Sequence, residues 1–328
     1  MKFSSSLAIA FLTGALALPD YVQAAAPDVE KFPTKPVRLI VPFVPGAGTD
    51  ITARTIAGKL TERWGHQVVV DNRPGAAGTI GVDLTATAAP DGYTMCLISA
   101  SHAVNAATNP KLPYDLTRDL QAISQATSLF YVLYLIPAVP AKSVQEFIGY
   151  AKANPGKLNF GSSGTGGLQH LAGEMLNHLA NVKIVHVPYK GGAAVISDAL
   201  AGNIQVGFGT LLGIRGHVKA GRLRALAITA RQRSSAAPEL PTLAEAGVPG
   251  YEVDQWYGII TSAKVPRVLV DKLSAAIRDA LKSPDIGQRL AAEGSTPVGS
   301  TPEQFGAHIK SEVAKWRKLV KDAGLVLH

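Results

Sequence analysis

Two glycine-rich segments of the chain could bind an anion through backbone N–H groups. Loop 1, Gly46 to Asp50, and loop 2, Gly161 to Gly167, each follow a predicted strand and lead into a predicted helix. The first N–H groups of a helix have no partner inside the helix, and the helix dipole places positive charge at that end. Two such loops facing across a cleft would hold carboxylate groups without a charged side chain. The alternative is that both are ordinary strand-to-helix turns.

Motifs for nucleophilic catalysis and for nucleotide binding are incomplete. Gly161-Ser162-Ser163-Gly164 does not match the nucleophile pattern G-x-S-x-G in either register. Gly46-Ala47-Gly48 is half of the dinucleotide pattern G-x-G-x-x-G, because Ile51 occupies the last glycine position. Gly58-Lys59-Leu60 lacks the Ser or Thr of a phosphate-binding loop. These patterns favour a binding protein over an enzyme, and we expect no cofactor.

Metal-binding patterns are also weak. His170, Glu174 and His178 follow one another at a spacing of four, but the chain has no H-E-x-x-H motif. The apolar residues between them predict that these three side chains form a solvated polar stripe on a helix. The single cysteine, Cys96, lies in an apolar run and is expected to be a buried thiol in a strand. We therefore expect no metal and no intramolecular disulfide.

Composition and charge indicate a packed globular protein with an anionic partner. The chain has 328 residues, of which 47% are hydrophobic and 17% charged, and its formal net charge is +8. This charge favours anions but does not choose between nucleic acid, membrane and small acids. The basic residues are scattered without interleaved aromatic residues, so we expect no nucleic-acid partner.

The N-terminus has the pattern of a secretory signal peptide. Lys2 gives it a positive charge, Leu7 to Leu18 is mostly apolar, and Val22-Gln23-Ala24 offers a cleavage site. The apolar segment is shorter than the roughly 20 residues that a membrane-spanning helix needs. We therefore predict that residues 1–24 are a signal peptide and that the mature protein is soluble and periplasmic.

From Pro36 onward, β-branched runs alternate with helical patterns, which is typical of an α/β protein with a parallel sheet. The predicted strands lie near residues 37–43, 67–71, 95–100, 129–136, 158–162, 183–187, 204–208, 223–229 and 256–261. We predict Asp50 as the N-cap of a helix ending at Trp64, and a loop between Ser101 and Pro113. The second half repeats the order of the first half, so two α/β lobes are expected.

Seven collinear strings resemble those of one receptor family. They are Phe32 to Phe43, Pro45 to Asp50, Asn72 to Gly78, Pro90 to Thr94, Gly161 to Gly164, His186 to Gly191 and Pro241 to Gly247. They are similar to the substrate-binding receptors of tripartite tricarboxylate transporters, also called the Bug family. The resemblance runs from Phe32 to the C-terminus. It implies a type II-like, two-lobe periplasmic-binding-protein fold with a ligand cleft between lobe 1 (residues 25–127 and 256–328) and lobe 2 (residues 128–255).

The resemblance also implies which residues bind the ligand. Family members hold carboxylates through main-chain N–H groups of the two loops. Carried over to this chain, the binding residues are Gly46, Ala47, Gly48, Thr49 and Asp50 in loop 1, and Ser163, Thr165, Gly166 and Gly167 in loop 2. The residues Ser99, Ser101, His102 and Tyr189 would line the cleft. The family often has Ser where this chain has Gly167, so a hydroxyl group is missing there while the backbone donor remains.

The function that follows is capture of a small organic acid by a monomeric receptor, which delivers the acid to the membrane permease subunits of such a transporter. One alternative is an exported α/β enzyme that acts on carboxylates. Another is a solute receptor for a membrane sensor. The identity of the acid stays open between linear diacids, aromatic acids and monoacids, because backbone donors recognise carboxylates and not the atoms between them.

Overall fold

The computed structural model describes residues 30–46, 48–189, 192–292 and 294–325. The predicted signal peptide lies outside these residues, as do Ala47 and Lys190. The strands are β1 (Val37–Val41), β2 (Val68–Asn72), β3 (Thr94–Ser99), β4 (Leu120–Leu135), β5 (Asn159–Ser162), β6 (Val185–Pro188), β7 (Val206–Thr210), β8 (Arg224–Ile228), β9 (Asp254–Ser262) and β10 (Thr296–Pro297). The helices are α1 (Gly48–Trp64), α2 (Thr79–Ala86), α3 (Ala100–Thr108), α4 (Val144–Ala153), α5 (Leu168–Ala180), α6 (Gly192–Leu200), α7 (Leu211–Lys219), α8 (Arg267–Leu281), α9 (Pro284–Ala292) and α10 (Pro302–Asp322).

These strands form one mixed sheet in the order β2-β1-β3-β9-β4-β7-β5-β6, and β8 and β10 each pair with β4. Helices cover both faces of the sheet. In β1, Leu39 and Val41 point into a core that also contains Ile56 and Leu60 of α1. Ile40, between them, points into a second core that also contains residues of α3 and α10. This alternation follows from the period of two along a strand.

Strand β4 belongs to both halves of the sheet. Residues 120–130 pair with β9, and residues 131–135 pair with β7. The sequence predicted only residues 129–136 as a strand, because the first part of β4 mixes polar and apolar residues without a regular alternation. Gln121 shows why polar residues fit there: its Nε2 donates to the backbone oxygens of Ser262 at 3.0 Å and Val265 at 2.7 Å.

The two halves of the sheet meet along β4 and β9. Strands β2, β1 and β3 lie on one side of these strands, and β7, β5 and β6 lie on the other. This arrangement confirms the predicted two-lobe α/β fold. The partner of β4 changes from β9 to β7 between Phe130 and Tyr131. The lobe boundaries at residues 127/128 and 255/256 stay a prediction.

Two helices occupy segments that the sequence did not predict to be helical. Helix α3 lies in the segment expected to be a loop. It was not predicted because it is short and its buried residues are small, such as Ala103. Helix α7 contains Gly213 and Gly216, which lower the intrinsic helix propensity. Its N-cap, Thr210, accepts a hydrogen bond from Gly213 N–H. No helix within the described ranges combines the length and hydropathy that crossing a membrane requires.

Candidate functional site

The carboxyl ends of the strands in the two lobes face each other. Ser99, at the end of β3, lies opposite Tyr257 in β9, which in turn lies opposite Thr127 in β4. Thr210, at the end of β7, lies opposite Tyr131 in β4. Strand β3 runs parallel to β4 and β7 runs antiparallel to it, so the carboxyl ends of β3 and β7 point toward each other. Thr127 and Tyr131 are four residues apart, so the two ends lie about 13 Å apart along β4. Loops 1 and 2 follow β1 and β5, the parallel neighbours of β3 and β7.

Loop 1 is held in shape by Asp50. Asp50 Oδ2 accepts hydrogen bonds from Gly46 N–H at 2.9 Å and from Arg54 Nε at 2.9 Å. Asn72 Nδ2 donates to Asp50 Oδ1 at 2.9 Å. The predicted role of Asp50 as an N-cap is wrong, because α1 begins at Gly48 and Asp50 lies in its first turn, where it bonds backward to the loop.

The charge of Asp50 is stabilised although the residue is only 3% exposed. Burial opposes ionisation, but the hydrogen bonds from Arg54, Gly46 and Asn72 outweigh it and lower the pKa of this carboxyl below its ordinary value. Asp50 therefore braces loop 1 as an ionised group, and both of its oxygen atoms are already hydrogen-bonded.

Gly48 is needed for a close contact with β9. A Cβ atom at this position would lie 2.8 Å from the hydroxyl oxygen of Tyr257. The φ angle that requires glycine in loop 1 is at Gly46, where it is +81°. Thr49, which follows Gly48, is buried, and its Oγ1 has no hydrogen-bond partner among the described residues.

His102 lies in the wall behind loop 1. Ser99 is the N-cap of α3, and Ser99 N–H donates to His102 Nδ1 at 3.1 Å. Burial lowers the pKa of His102 to about 4, so the ring is neutral at pH 7. Its Nε2 has no hydrogen-bond partner among the described residues and lies 2.5 Å from the position of a Cβ at Gly78. His102 thus packs against the backbone of Gly78. Ser101, at the start of α3, is half-buried.

The turn at residues 75–78 covers His102. The sequence did not predict that this turn lies next to the candidate site. Gly75, Ala76, Ala77 and Gly78 have φ angles of 132°, 47°, 54° and 89°. Positive φ is strained for alanine, and such strain is often found at functional sites. The signal in the sequence was the glycine on either side of the alanine pair.

Two side chains of α5 already bind N–H groups of loop 2. Ser163 N–H donates to Gln169 Oε1 at 2.9 Å, and Gly166 N–H donates to His170 Nδ1 at 3.0 Å. Gly166 has a φ of 73°, and Gly167 is the N-cap of α5 without a side-chain hydrogen bond. Thr165 lies between Ser163 and Gly166 in the sequence and is exposed. Loop 2 is therefore preformed by the helix that it precedes.

A stack of two histidines lies beneath loop 2. The rings of His170 and His186 have centroids 3.7 Å apart and are nearly parallel. His170 is only 6% exposed, so the predicted solvated stripe is wrong at this residue. Burial and the neighbouring His170 lower the pKa of His186 to about 4. Among the residues that the structure describes, no group of three or more His, Cys, Asp or Glu side chains could hold a metal ion.

Ser162 is the one loop 2 serine whose hydroxyl lies beside a histidine, as a nucleophile would require. Its Oγ lies 2.6 Å from His186 Nε2. The same Oγ hydrogen-bonds with Gly164 O at 3.0 Å, and Ser162 is fully buried. The Ser162 hydroxyl and His186 therefore support the backbone of loop 2.

Tyr189 lies beside loop 2 but its hydroxyl is already bound. Its backbone N–H donates to Ser162 O at 2.9 Å, and its hydroxyl donates to Asp198 Oδ2. Burial and the carboxylate of Asp198 raise the pKa of Tyr189 to about 12. The ring packs against Gly161, where a Cβ would lie 3.3 Å from Tyr189 Cε2. The backbone of Tyr189, and not its phenol, is next to the loop.

The chain is similar to a defined family of receptors over most of its length. The family model described as the tripartite tricarboxylate transporter family receptor matches residues 52–325. A curated relative, Protein BugT of Bordetella pertussis, is 35% identical over 306 residues, which cover 93% of this chain and 94% of BugT.

Solved structures show the same fold. R. palustris Rpa4515 with adipate is 34% identical, with a TM-score of 0.77 over 89% of this chain and 98% of that chain. MatC (Rpa3494) from Rhodopseudomonas palustris with bound malate is 28% identical, with a TM-score of 0.73 over 88% of this chain and 100% of that chain. From the family match and these likenesses, the chain belongs to the tripartite tricarboxylate transporter receptor family of solute-binding proteins.

Proposed function

We propose that this protein is an exported receptor that captures a small carboxylic acid between loop 1 and loop 2. The observation that carries the proposal is that the two loops leave facing strand ends of opposite lobes and that each leads into the N-terminus of a helix. Backbone N–H groups at helix starts favour an anion. The adipate and malate in the two structural neighbours are small carboxylates, which supports this ligand class.

The proposed site uses the loop residues implied by the family resemblance, apart from those whose N–H groups already donate within the loops, together with the first turn of α5. In loop 1 they are the backbone of Ala47, Gly48 and Thr49, because Gly46 N–H already donates to Asp50. In loop 2 they are the backbone of Thr165 and the first turn of α5, because Gly167 N–H already donates to Gly164 O at 3.3 Å. Asp50, Gln169 and His170 take the role of braces, because each already accepts a hydrogen bond from a loop N–H group. Closure of the lobes about β4 and β9 would bring both loops onto one ligand.

We further propose that the receptor works in the periplasm as a monomer and delivers the acid to the membrane permease of a tripartite tricarboxylate transporter. The apolar segment from Leu7 to Leu18 and the small residues at Val22-Gln23-Ala24 support export with loss of residues 1–24. Family membership supports the permease partner. N-terminal sequencing of the protein recovered from the periplasm checks the export step.

Thermal unfolding of residues 25–328 with acetate, benzoate, adipate and malate tests the capture step. An acid at 100 times its Kd adds about 2.7 kcal/mol to the unfolding free energy, which raises the Tm of a chain of this size by about 4 °C. Mass spectrometry of the bound acid after release should recover it unchanged. A chemically altered acid would support the enzyme alternative, and no shift with any carboxylate would overturn the proposal.

A further inference from the structure

A cavity of about 500 Å³ opens directly behind loop 2, between α6 and α7. Its walls are mostly apolar and include Val195, Ile196, Leu200 and Phe208. None of the described residues that line it is an Asp, Glu, Lys or Arg. The cavity therefore suits an apolar group, and the one side chain among its described lining residues that could carry a positive charge is His217, whose Nδ1 lies 2.7 Å from Arg222 Nη2.

Gln169 connects this cavity to loop 2. Its Oε1 accepts from Ser163 N–H in the loop at 2.9 Å, and its Nε2 donates to the backbone oxygen of Phe208 in the cavity wall at 2.7 Å. Gln169 itself lines the cavity and is only 7% exposed. An acid whose carboxylate lies at loop 2 would therefore have the entrance of the cavity within reach of its next carbon atoms.

The wall of the cavity also contains a polar atom without a partner. Tyr134 is fully buried, and its hydroxyl has no hydrogen-bond partner among the described residues. Gly207, opposite Tyr134 in β7, makes room for the ring, because a Cβ there would lie 2.3 Å from the Tyr134 hydroxyl oxygen. The ring thus forms part of the inner wall of the cavity, and its hydroxyl is buried beneath that wall.

We propose that this cavity holds the apolar body of the bound acid and thereby selects monocarboxylic acids with an alkyl or aromatic body. This inference rests on the proposed capture of a carboxylate at loop 2. Each CH₂ group buried in such a cavity strengthens binding about fourfold, whereas a second carboxylate would lose its hydration without meeting a Lys or Arg among the described lining residues. Acids with a hydroxylated body lose affinity for the same reason.

Calorimetry with acetate, butyrate, hexanoate and malate tests the proposal on residues 25–328. Affinity should rise about fourfold for each added CH₂ group, so hexanoate should bind about 15-fold more tightly than butyrate. Malate should bind more weakly than hexanoate. Equal affinities along the series would overturn the role of the cavity.

A variant that fills the entrance tests whether this cavity is the cause. Ala193, in the first turn of α6, lines the cavity with an exposed side chain, so Ala193→Phe should abolish the dependence on chain length and leave acetate binding unchanged. Ser197→Phe, one turn further along α6, should act in the same way. Ala201→Phe is the matched control, because Ala201 is exposed and follows α6 outside the cavity.

The outcomes separate this inference from the proposed function. If no carboxylate binds the unaltered protein, both are overturned. If carboxylates bind but the length dependence survives in both folded Phe variants, the cavity assignment is overturned and the proposed function stands. Loss of the length dependence in Ala193→Phe and Ser197→Phe, with an unchanged Ala201→Phe, establishes the cavity as the specificity site.

Discussion

Single atomic contacts determine the shape of loop 1. Asp50 binds Gly46 N–H from within α1, and the hydroxyl of Tyr257 lies where a side chain at Gly48 would begin. Both contacts act on the backbone that is proposed to bind the acid. A change of one methyl group at Gly48 therefore tests loop 1 without adding a charge.

We expect Gly48→Ala to weaken acid binding at least tenfold and to lower the unfolding free energy by about 1 kcal/mol, because the new methyl group must displace buried Tyr257 or the loop. Gly58→Ala is the matched control in the same helix. Nothing lies within 4 Å of a Cβ at Gly58, so this change should stabilise the protein by about 1 kcal/mol and leave affinity unchanged. Calorimetry and urea unfolding measure both effects, and wild-type affinity in Gly48→Ala would remove this contact from the site.

Strand β9 carries a buried carboxyl group at its first residue. Asp254 Oδ1 is buried and has no hydrogen-bond partner among the described residues. Burial and the neighbouring Glu252 raise the pKa of Asp254 to about 7, although Lys315 opposes the shift. Asp254 lies opposite Phe130 of β4, at the point where β4 changes partner between the lobes.

The raised pKa predicts how stability depends on pH. The folded state holds a proton on Asp254 that the unfolded state has released above pH 4, so this contribution to stability is lost as the pH rises from about 4 to about 7. We expect Asp254→Asn to raise the unfolding free energy at pH 8 by on the order of 2 kcal/mol and to change it little at pH 4.

Urea unfolding at both pH values measures this difference. Asp285→Asn is the control, because Asp285 is paired with Lys59, which lowers the pKa of that carboxyl. Removing its charge should not raise stability at pH 8. An equal effect of Asp254→Asn at pH 4 and pH 8 would contradict the raised pKa.

For the whole molecule, the two lobes share β4 and β9 and also meet where α3 contacts α5. Helix α3 begins at the strand end beside loop 1, and α5 begins at the end of loop 2. Movement of the lobes about the shared strands would therefore change the distance between the two loops.

We expect a saturating carboxylic acid to reduce the radius of gyration of residues 25–328 toward about 19 Å, the value for a single compact body of about 300 residues. The physical reason is that one ligand bound to both loops favours the closed arrangement. Small-angle X-ray scattering with and without the acid measures the change, and choline, a small cation, is the control. An unchanged radius at an acid concentration that saturates the calorimetric signal would contradict closure.

Local patterns in the sequence predicted much of this protein. Most of the strands, the glycine loops and the buried Cys96 follow from the types of neighbouring residues, whereas α3, α7 and the first part of β4 were not predicted. Helix α1 ends at Trp64 as predicted, because the hydrophobic period acts within one or two turns. The resemblance to the receptor family rests on these same short strings.

Tertiary structure alone decided which residues are buried or crowded by partners from distant parts of the chain. His170 is buried because the ring of His186 in β6 stacks on it. Gln121 fits in a strand because backbone oxygens more than 140 residues away accept its hydrogen bonds. Gly48 is crowded by Tyr257. A polar side chain can be buried only where partners satisfy it. The partners of Gln121 and Gly48 lie in β9 or just after it, and they reach these residues only when the sheet has placed β9 between β3 and β4.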